Sequence, residues 1–142
     1  MSDPDWQEHG FVVSSREWPI VRVQYPENVA LEAYRALFGH YASLASRGAR
    51  VAWLVDLTRF DPLTAPAAHR RVAAEIFEEH RATLLAATVC EARVLEAAIT
   101  RGVVTAFDWL TLHKWPCTNV ATEAEARAWI AEKMNEERAR CL

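Results

Sequence analysis

Hydrophobic and polar positions near the start of the chain alternate with the period of a half-buried β-strand. Two segments, Phe11–Ser15 and Ile20–Tyr25, are rich in β-branched and aromatic residues, which favour strands. Only the sequence REWP separates them, so the pattern predicts an antiparallel hairpin. Pro26 ends the second predicted strand.

Apolar residues then recur three or four positions apart in four segments, the spacing of one face of a helix. The predicted helices lie within Glu27–Gly48, from Thr64 or Ala65 to Leu84, over Ala98–Leu112, and over Thr122–Ala139. Asn28 is a candidate N-cap of the first helix, and Thr122 with Glu125 forms a capping box at the last one. Asp108 falls opposite the apolar stripe of the third helix, where we expect it to be exposed.

Three further strands are predicted between these helices, at Arg50–Leu57, Thr88–Leu95 and Thr118–Ala121. The first is a nearly continuous apolar run, which is typical of a strand covered on both faces. Glu91 and Arg93 interrupt the second. The resulting order, β-β-α-β-α-β-α-β-α, predicts a single α/β domain with a mixed, mostly parallel sheet and helices packed against it. We expect a core over about residues 11–135 and a flexible N-terminus at residues 1–9.

Composition narrows the class of protein. The chain has 142 residues, 51% of them hydrophobic, which suits one domain with a substantial core. Its net charge of −3 argues against nucleic-acid binding. No apolar run is long enough to span a bilayer, so no membrane insertion is expected. The acidic, polar N-terminus resembles no targeting signal, and a cytoplasmic location is predicted.

The cysteines give a weak indication of chemistry. There are three of them, widely spaced and without a C-x-x-C motif, so we expect reduced thiols rather than disulfides. His113 and Cys117 stand four positions apart and form a candidate base and nucleophile of a hydrolase or redox enzyme. They supply too few ligands for a metal site. We therefore expect no metal or cofactor.

Asp56 and Asp61 flank Thr58 after a predicted central strand, where ligands of open α/β sheets bind. Paired carboxylates there could hold Mg²⁺ or act as acid and base. Asp in such loops more often bonds to its own backbone, and this alternative is favoured.

Two stretches resemble a known family. VAWLVDLTRFDPLTAPAAHRRVAAEI (residues 51–76) resembles the central part of STAS domains, with a buried strand, an Asp-Leu-Ser/Thr turn and a helix. RGVVTAFDWLTLHKWPCTNVATEAEARAWI (residues 101–130) is similar to the end of small bacterial SpoIIAA-like proteins. The resemblance implies a STAS fold and a non-catalytic regulatory or adaptor role through protein–protein interaction, including a homodimer.

STAS regulators are switched by phosphorylation at the start of the helix after that turn. The family's acceptor position falls on Ala65, and Pro66 stands where the family has glycine. Thr64 and Thr58 are therefore the candidate phosphoacceptors that the resemblance suggests. Thr64 has an alternative role as the N-cap of the second helix.

Six tryptophans are many for this length, and exposed aromatic residues mark interfaces or apolar ligand sites. We predict an interaction surface formed by Arg101, Trp109, Trp115 and His113. An alternative function is transport of a small apolar or lipid-like ligand, because the CRAL-TRIO lipid-binding fold is similar to STAS. That alternative predicts a closed apolar cavity, lined by Trp109, Phe107, Phe77 or Trp53.

Overall fold

The computed structural model describes residues 5–111 and 114–141, apart from the side chains of Ile99 and Trp109. These residues form a single α/β domain, a mixed six-stranded sheet with four helices. The strands are β1 (Trp6–Glu8), β2 (Phe11–Glu17), β3 (Ile20–Gln24), β4 (Val51–Asp56), β5 (Thr88–Val94) and β6 (Cys117–Val120). The helices are α1 (Leu31–Ala45), α2 (Ala67–Ala87), α3 (Ala98–Leu110) and α4 (Glu123–Arg140), with a 3₁₀ turn at Pro62–Thr64.

The six strands lie side by side in the same order as along the chain. β2 pairs antiparallel with both β1 and β3, and the β2–β3 pair confirms the predicted hairpin. From β3 to β6 every pair is parallel, as the alternation of strands and helices predicts. β4 lies between β3 and β5 and is buried on both faces, which accounts for its continuous apolar sequence.

Helices cover both faces of the sheet. Trp53 and Val55 of β4 belong to a core shared with α1, α2 and α3. Ala52 and Leu54 point the other way, into a smaller core with Ile130 of α4. The alternating side chains of one strand therefore serve two separate hydrophobic layers.

The N-terminal segment that we expected to be flexible contains a strand. β1 pairs with β2 through a tight turn in which His9 and Gly10 both have positive φ, 53° and 86°. A Cβ atom at Gly10 would lie 2.8 Å from Cβ of Pro26, so only glycine fits there. Trp6 stacks on His40 of α1, with ring centroids 4.6 Å apart. Three partly exposed residues are too few to show a strand period.

Two helix starts differ from the sequence prediction. α1 begins after Ala30 rather than at Asn28, and α2 begins after Pro66 rather than after Thr64 or Ala65. Neither start has a side-chain cap, so cap-forming residue types were misleading. Thr64 instead closes the 3₁₀ turn, where its hydroxyl donates to the carbonyl of Asp61 at 2.7 Å.

Most other boundaries agree within one or two residues, but α1 ends three residues before Gly48, at Ala45, and α2 ends three residues after Leu84, at Ala87. The N-cap half of the capping box of α4 is confirmed, because Thr122 Oγ1 accepts from the backbone N–H of Glu125 at 3.2 Å. The Glu125 carboxylate accepts from the Thr122 hydroxyl instead of from its backbone N–H. β5 forms despite its two charged residues. α3 ends at Leu110, and the predicted final residue, Leu112, lies outside the described part of the chain.

Candidate functional site

On the side of the sheet covered by α1, α2 and α3, the core contains a cavity of about 100 Å³. We call it the aromatic cavity, because nine of its lining residues are Tyr25, Tyr34, Phe38, Tyr41, Trp53, Phe60, Phe77, Phe107 and Trp115. The predicted stripe of α1 supplies Tyr34, Phe38 and Tyr41 at helical spacing.

Phe77 of α2 lies at the centre of this wall. Its ring meets those of Phe38, Phe107 and Trp115 edge to face, with centroid distances of 6.2, 6.4 and 5.7 Å. Such geometry is the favoured arrangement for aromatic pairs. The rings therefore hold one another in position, which gives the cavity defined walls.

Three phenol groups provide the cavity with polar atoms. No hydrogen bond joins the hydroxyls of Tyr25, Tyr34 or Tyr41 to another residue that the structure describes. Burial raises the pKa of Tyr34 to about 12, and it raises the pKa of Tyr25 and Tyr41 further. At neutral pH all three are uncharged, and each hydroxyl can donate to or accept from a molecule in the cavity.

Beside the rings lies a buried charge cluster, formed by Glu91, Arg93, Asp108 and Lys114. Glu91 and Arg93 lie opposite Trp53 and Val55 in the register of β5 with β4, so they face the aromatic cavity. Arg93 is only 3% exposed. Its Nε donates to Glu91 Oε2 at 2.5 Å. Its two terminal nitrogens donate to both carboxylate oxygens of Asp108, at 2.7 and 2.8 Å.

Lys114, the fourth member of the charge cluster, lies in the segment that follows α3, and Trp115 lies next to it. Lys114 Nζ lies 2.8 Å from Asp108 Oδ1 and 4.8 Å from the ring centroid of Phe107. Trp115 Nε1 donates to Glu91 Oε1 at 3.1 Å. Both oxygens of Glu91 thus have donors.

The protonation of this cluster is set by the balance of burial and pairing. Burial alone raises the pKa of Glu91 and Asp108, but Arg93 and Lys114 outweigh it, and both pKa values lie below the ordinary range. For Arg93, burial acts to lower the pKa, but Glu91 and Asp108 raise it overall. All three groups therefore stay charged at neutral pH and form a fixed array beside the cavity.

Arg70 of α2 also borders the cavity. Its Nη1 donates to the carbonyl of Ala65 at 2.8 Å. Among the residues that the structure describes, no carboxylate forms an ion pair with it. Arg70 therefore differs from Arg93, whose charge is balanced by its neighbours.

The candidate phosphoacceptors lie in the loop after β4. The N–H and hydroxyl of Thr58 both donate to Asp56 Oδ1, at 2.9 and 2.7 Å. Asp61 Oδ1 accepts from the N–H of Leu63 at 3.0 Å. Both carboxylates thus bond to their own loop, the alternative favoured by sequence. Over residues 5–111 and 114–141, no group of three or more acidic, His or Cys residues could hold a metal ion.

The predicted interaction surface is not assembled by the residues that can be placed. Arg101 is exposed near the start of α3. Trp115 lies beyond the other end of that helix and turns inward against Phe77. The side chain of Trp109 and the whole of His113 lie outside the described part of the structure.

Cys117, the nucleophile of the enzymatic hypothesis, is held at the edge of the charge cluster. Its Sγ donates to the carbonyl of Trp115 at 3.4 Å. Burial raises the pKa of the Cys117 thiol to about 12. Since the thiolate is the reactive form, this environment makes Cys117 a poor nucleophile at neutral pH.

We expect iodoacetamide at pH 8 to alkylate Cys141 at least about a hundred times faster than Cys117 or Cys90, because only Cys141 is exposed. The pKa of Cys90 is likewise raised by burial, to about 12. Peptide mass spectrometry over a time course measures the three rates in one sample. Urea-unfolded protein, in which the rates should converge, is the control. Rapid labelling of Cys117 in the folded protein would revive the enzymatic hypothesis.

The chain matches no protein-family model, no curated protein and no solved structure at a significant level. None of the helices in the described ranges combines the length and apolar character needed to cross a bilayer.

Proposed function

We propose that this domain binds a small, largely apolar molecule in the aromatic cavity. The observation that carries the proposal is a cavity of about 100 Å³ walled by aromatic rings and lined by three tyrosines whose hydroxyls have no hydrogen-bond partner among the described residues. Ligand sites in proteins combine apolar walls with a few converging polar groups in this way. Protein cores otherwise pack densely, with few voids larger than a water molecule.

The volume sets the size of the ligand. An engineered apolar cavity of about 150 Å³ binds benzene, so this cavity suits a molecule of similar or smaller size. A long acyl chain would not fit without rearrangement. The proposal is thus a narrower form of the CRAL-TRIO-like carrier function. Phe107, Phe77 and Trp53, three of the four wall residues expected for such a carrier, do line the cavity.

Filling the cavity should abolish binding. Ala73 of α2 is buried and lines it, so Ala73→Leu places three extra carbon atoms inside. We expect benzene to shift the indole N–H resonances of Trp53 and Trp115 saturably in the wild type and not in this variant. The measurement is an NMR titration, with near-UV circular dichroism to confirm that the variant remains folded.

Ala82→Leu is the matched control, because Ala82 lies on the exposed side of the same helix. It should bind benzene like the wild type. Equal binding by the wild type and Ala73→Leu, or no saturable shift in the wild type, would contradict the proposal.

A STAS-like adaptor role is a second proposal, favoured by one observation. Thr58 is exposed directly after the Asp56-Leu57 turn that the family resemblance marks. A surface pocket beside it is lined by Arg59, which would attract a phosphate, and by the carboxylates of Glu27, Asp61 and Glu96, which would repel one. The adaptor role is proposed with Thr58 as the residue whose modification would switch it. Sedimentation velocity of the wild type and Thr58→Asp would support it if the wild type self-associates and the variant does not.

A further inference from the structure

We infer that the ligand of the aromatic cavity is a small carboxylic acid, whose carboxylate is bound by Arg70 and whose apolar part lies among the aromatic rings. This inference rests on the proposed function and adds the chemical class of the ligand. It is carried by the unused hydrogen-bonding capacity and by the balance of charge around the cavity.

The unused capacity at the cavity consists mainly of donors. Arg70 donates one hydrogen bond to the carbonyl of Ala65, and its other N–H groups have no acceptor among the residues that the structure describes. Lys114 directs one of its N–H groups to Asp108. The carboxylate that borders the cavity, that of Glu91, already has a donor at each oxygen. A ligand that satisfies this wall must therefore bring acceptor oxygens.

The charges lead to the same class of ligand. Within the buried charge cluster, two cations and two carboxylates balance one another. Arg70 adds one positive charge, for which the residues placed by the structure supply no carboxylate. Arg70 is partly buried, so water can satisfy its charge only in part, and a singly charged anion would complete the site.

Two other classes fit less well. Aromatic walls suit an ammonium ligand, but the positive charges of Arg70 and Lys114 at the same cavity oppose one. A phosphate dianion brings more charge than Arg70 can neutralise, and little of it would contact the rings. A carboxylate matches the planar guanidinium, which can bind both of its oxygens.

Isobutyrate and isobutyramide test the inference, because they have the same shape and differ in charge. We expect the wild type to bind isobutyrate about tenfold more tightly than isobutyramide at pH 7, since charge-assisted hydrogen bonds are roughly twice as strong as neutral ones. NMR titration yields both dissociation constants. Arg70→Gln should lose this preference while its affinity for isobutyramide stays within about twofold of the wild type.

Arg71→Gln is the matched control, because Arg71 is the exposed neighbour of Arg70 on the same helix and does not line the cavity. It should keep the preference for isobutyrate. An equal loss in Arg71→Gln would overturn the inference, because a general effect of positive charge would then explain the result.

The outcomes separate this inference from the proposed function. Binding of benzene together with equal affinities for isobutyrate and isobutyramide would overturn the carboxylate ligand and leave the cavity as a site for neutral molecules. Tighter binding of isobutylammonium than of isobutyrate would overturn it in favour of a cation. Failure of benzene and of all three aliphatic probes to bind would remove the proposed function itself.

Discussion

Replacement of Arg93 by methionine should lower the free energy of unfolding by about 3–5 kcal/mol at pH 7. The guanidinium is 3% exposed and holds two carboxylates, those of Glu91 and Asp108. Methionine fills much of the same volume, but it leaves both carboxylates in a poorly solvated place with one cation, Lys114, between them. Urea unfolding followed by tryptophan fluorescence measures the loss.

The pH dependence identifies the cause. In the wild type the lowered pKa values of Glu91 and Asp108 stabilise the fold above the ordinary carboxyl range, and this contribution is lost as the pH falls through the lowered values. Without Arg93, burial should instead raise the pKa of Glu91 above its unfolded value. Protonation of Glu91 then removes the unpaired buried charge from the variant. The loss of unfolding free energy in Arg93→Met should therefore be smaller at pH 4 than at pH 7.

Arg35→Met is the control for this prediction. Arg35 is 64% exposed in its side chain and pairs with Glu79 at 2.9 Å on the surface. Exposed pairs contribute about 0–1 kcal/mol, so the control should unfold nearly as the wild type does. A deficit in Arg93→Met below about 1 kcal/mol, or one independent of pH, would mean that the cluster does not stabilise the fold as we describe.

Replacement of Phe77 by alanine should cost about 3–5 kcal/mol of the free energy of unfolding. Phe77 is 2% exposed, and its ring contacts three other rings as well as the guanidinium of Arg81, 5.1 Å from the ring centroid. The void left behind would join the aromatic cavity, so the surrounding rings have little support against collapse. Thermal and urea unfolding both measure this loss.

Leu85→Ala on the same helix is the comparison, because Leu85 is 37% exposed. Its cost should stay below about 1 kcal/mol, since little buried surface is lost. Saturating benzene should restore part of the stability of Phe77→Ala by binding to its enlarged cavity. A cost below about 1.5 kcal/mol for Phe77→Ala would show that the ring is not a central support.

Much of the fold could be predicted because its signals are local. The apolar run of β4 and the apolar stripe of α1 directly predict which side chains are buried in the core. The first strand was missed because Trp6–Glu8 is too short to show a period, and its pairing depends on the turn at Gly10. The starts of α1 and α2 were misplaced because tertiary packing, rather than a side-chain cap, fixes them.

The candidate site was less predictable, because its features arise between distant segments. Periodicity shows that Tyr34 and Tyr41 face the core, but it does not show that the core there is incompletely filled. Glu91 and Arg93 are two positions apart in a strand, so the sequence indicated that both charges lie on the same, buried face. Asp108 was predicted to be exposed, and this is wrong, because β5 directs Arg93 to that side of α3. Arg93 and Asp108 are fifteen positions apart, and no local sequence pattern predicts a contact over that separation.

The sequential strand order has a consequence for how the protein is made. Each strand from β2 to β6 pairs with the one before it, so a chain leaving the ribosome can add every new strand to an existing edge. One layer is completed late, however. The face that carries Ala52 and Leu54 is covered by α4, which follows all six strands. Until α4 is synthesised, this apolar face is open to water, and the nascent protein is most prone to aggregate at that stage.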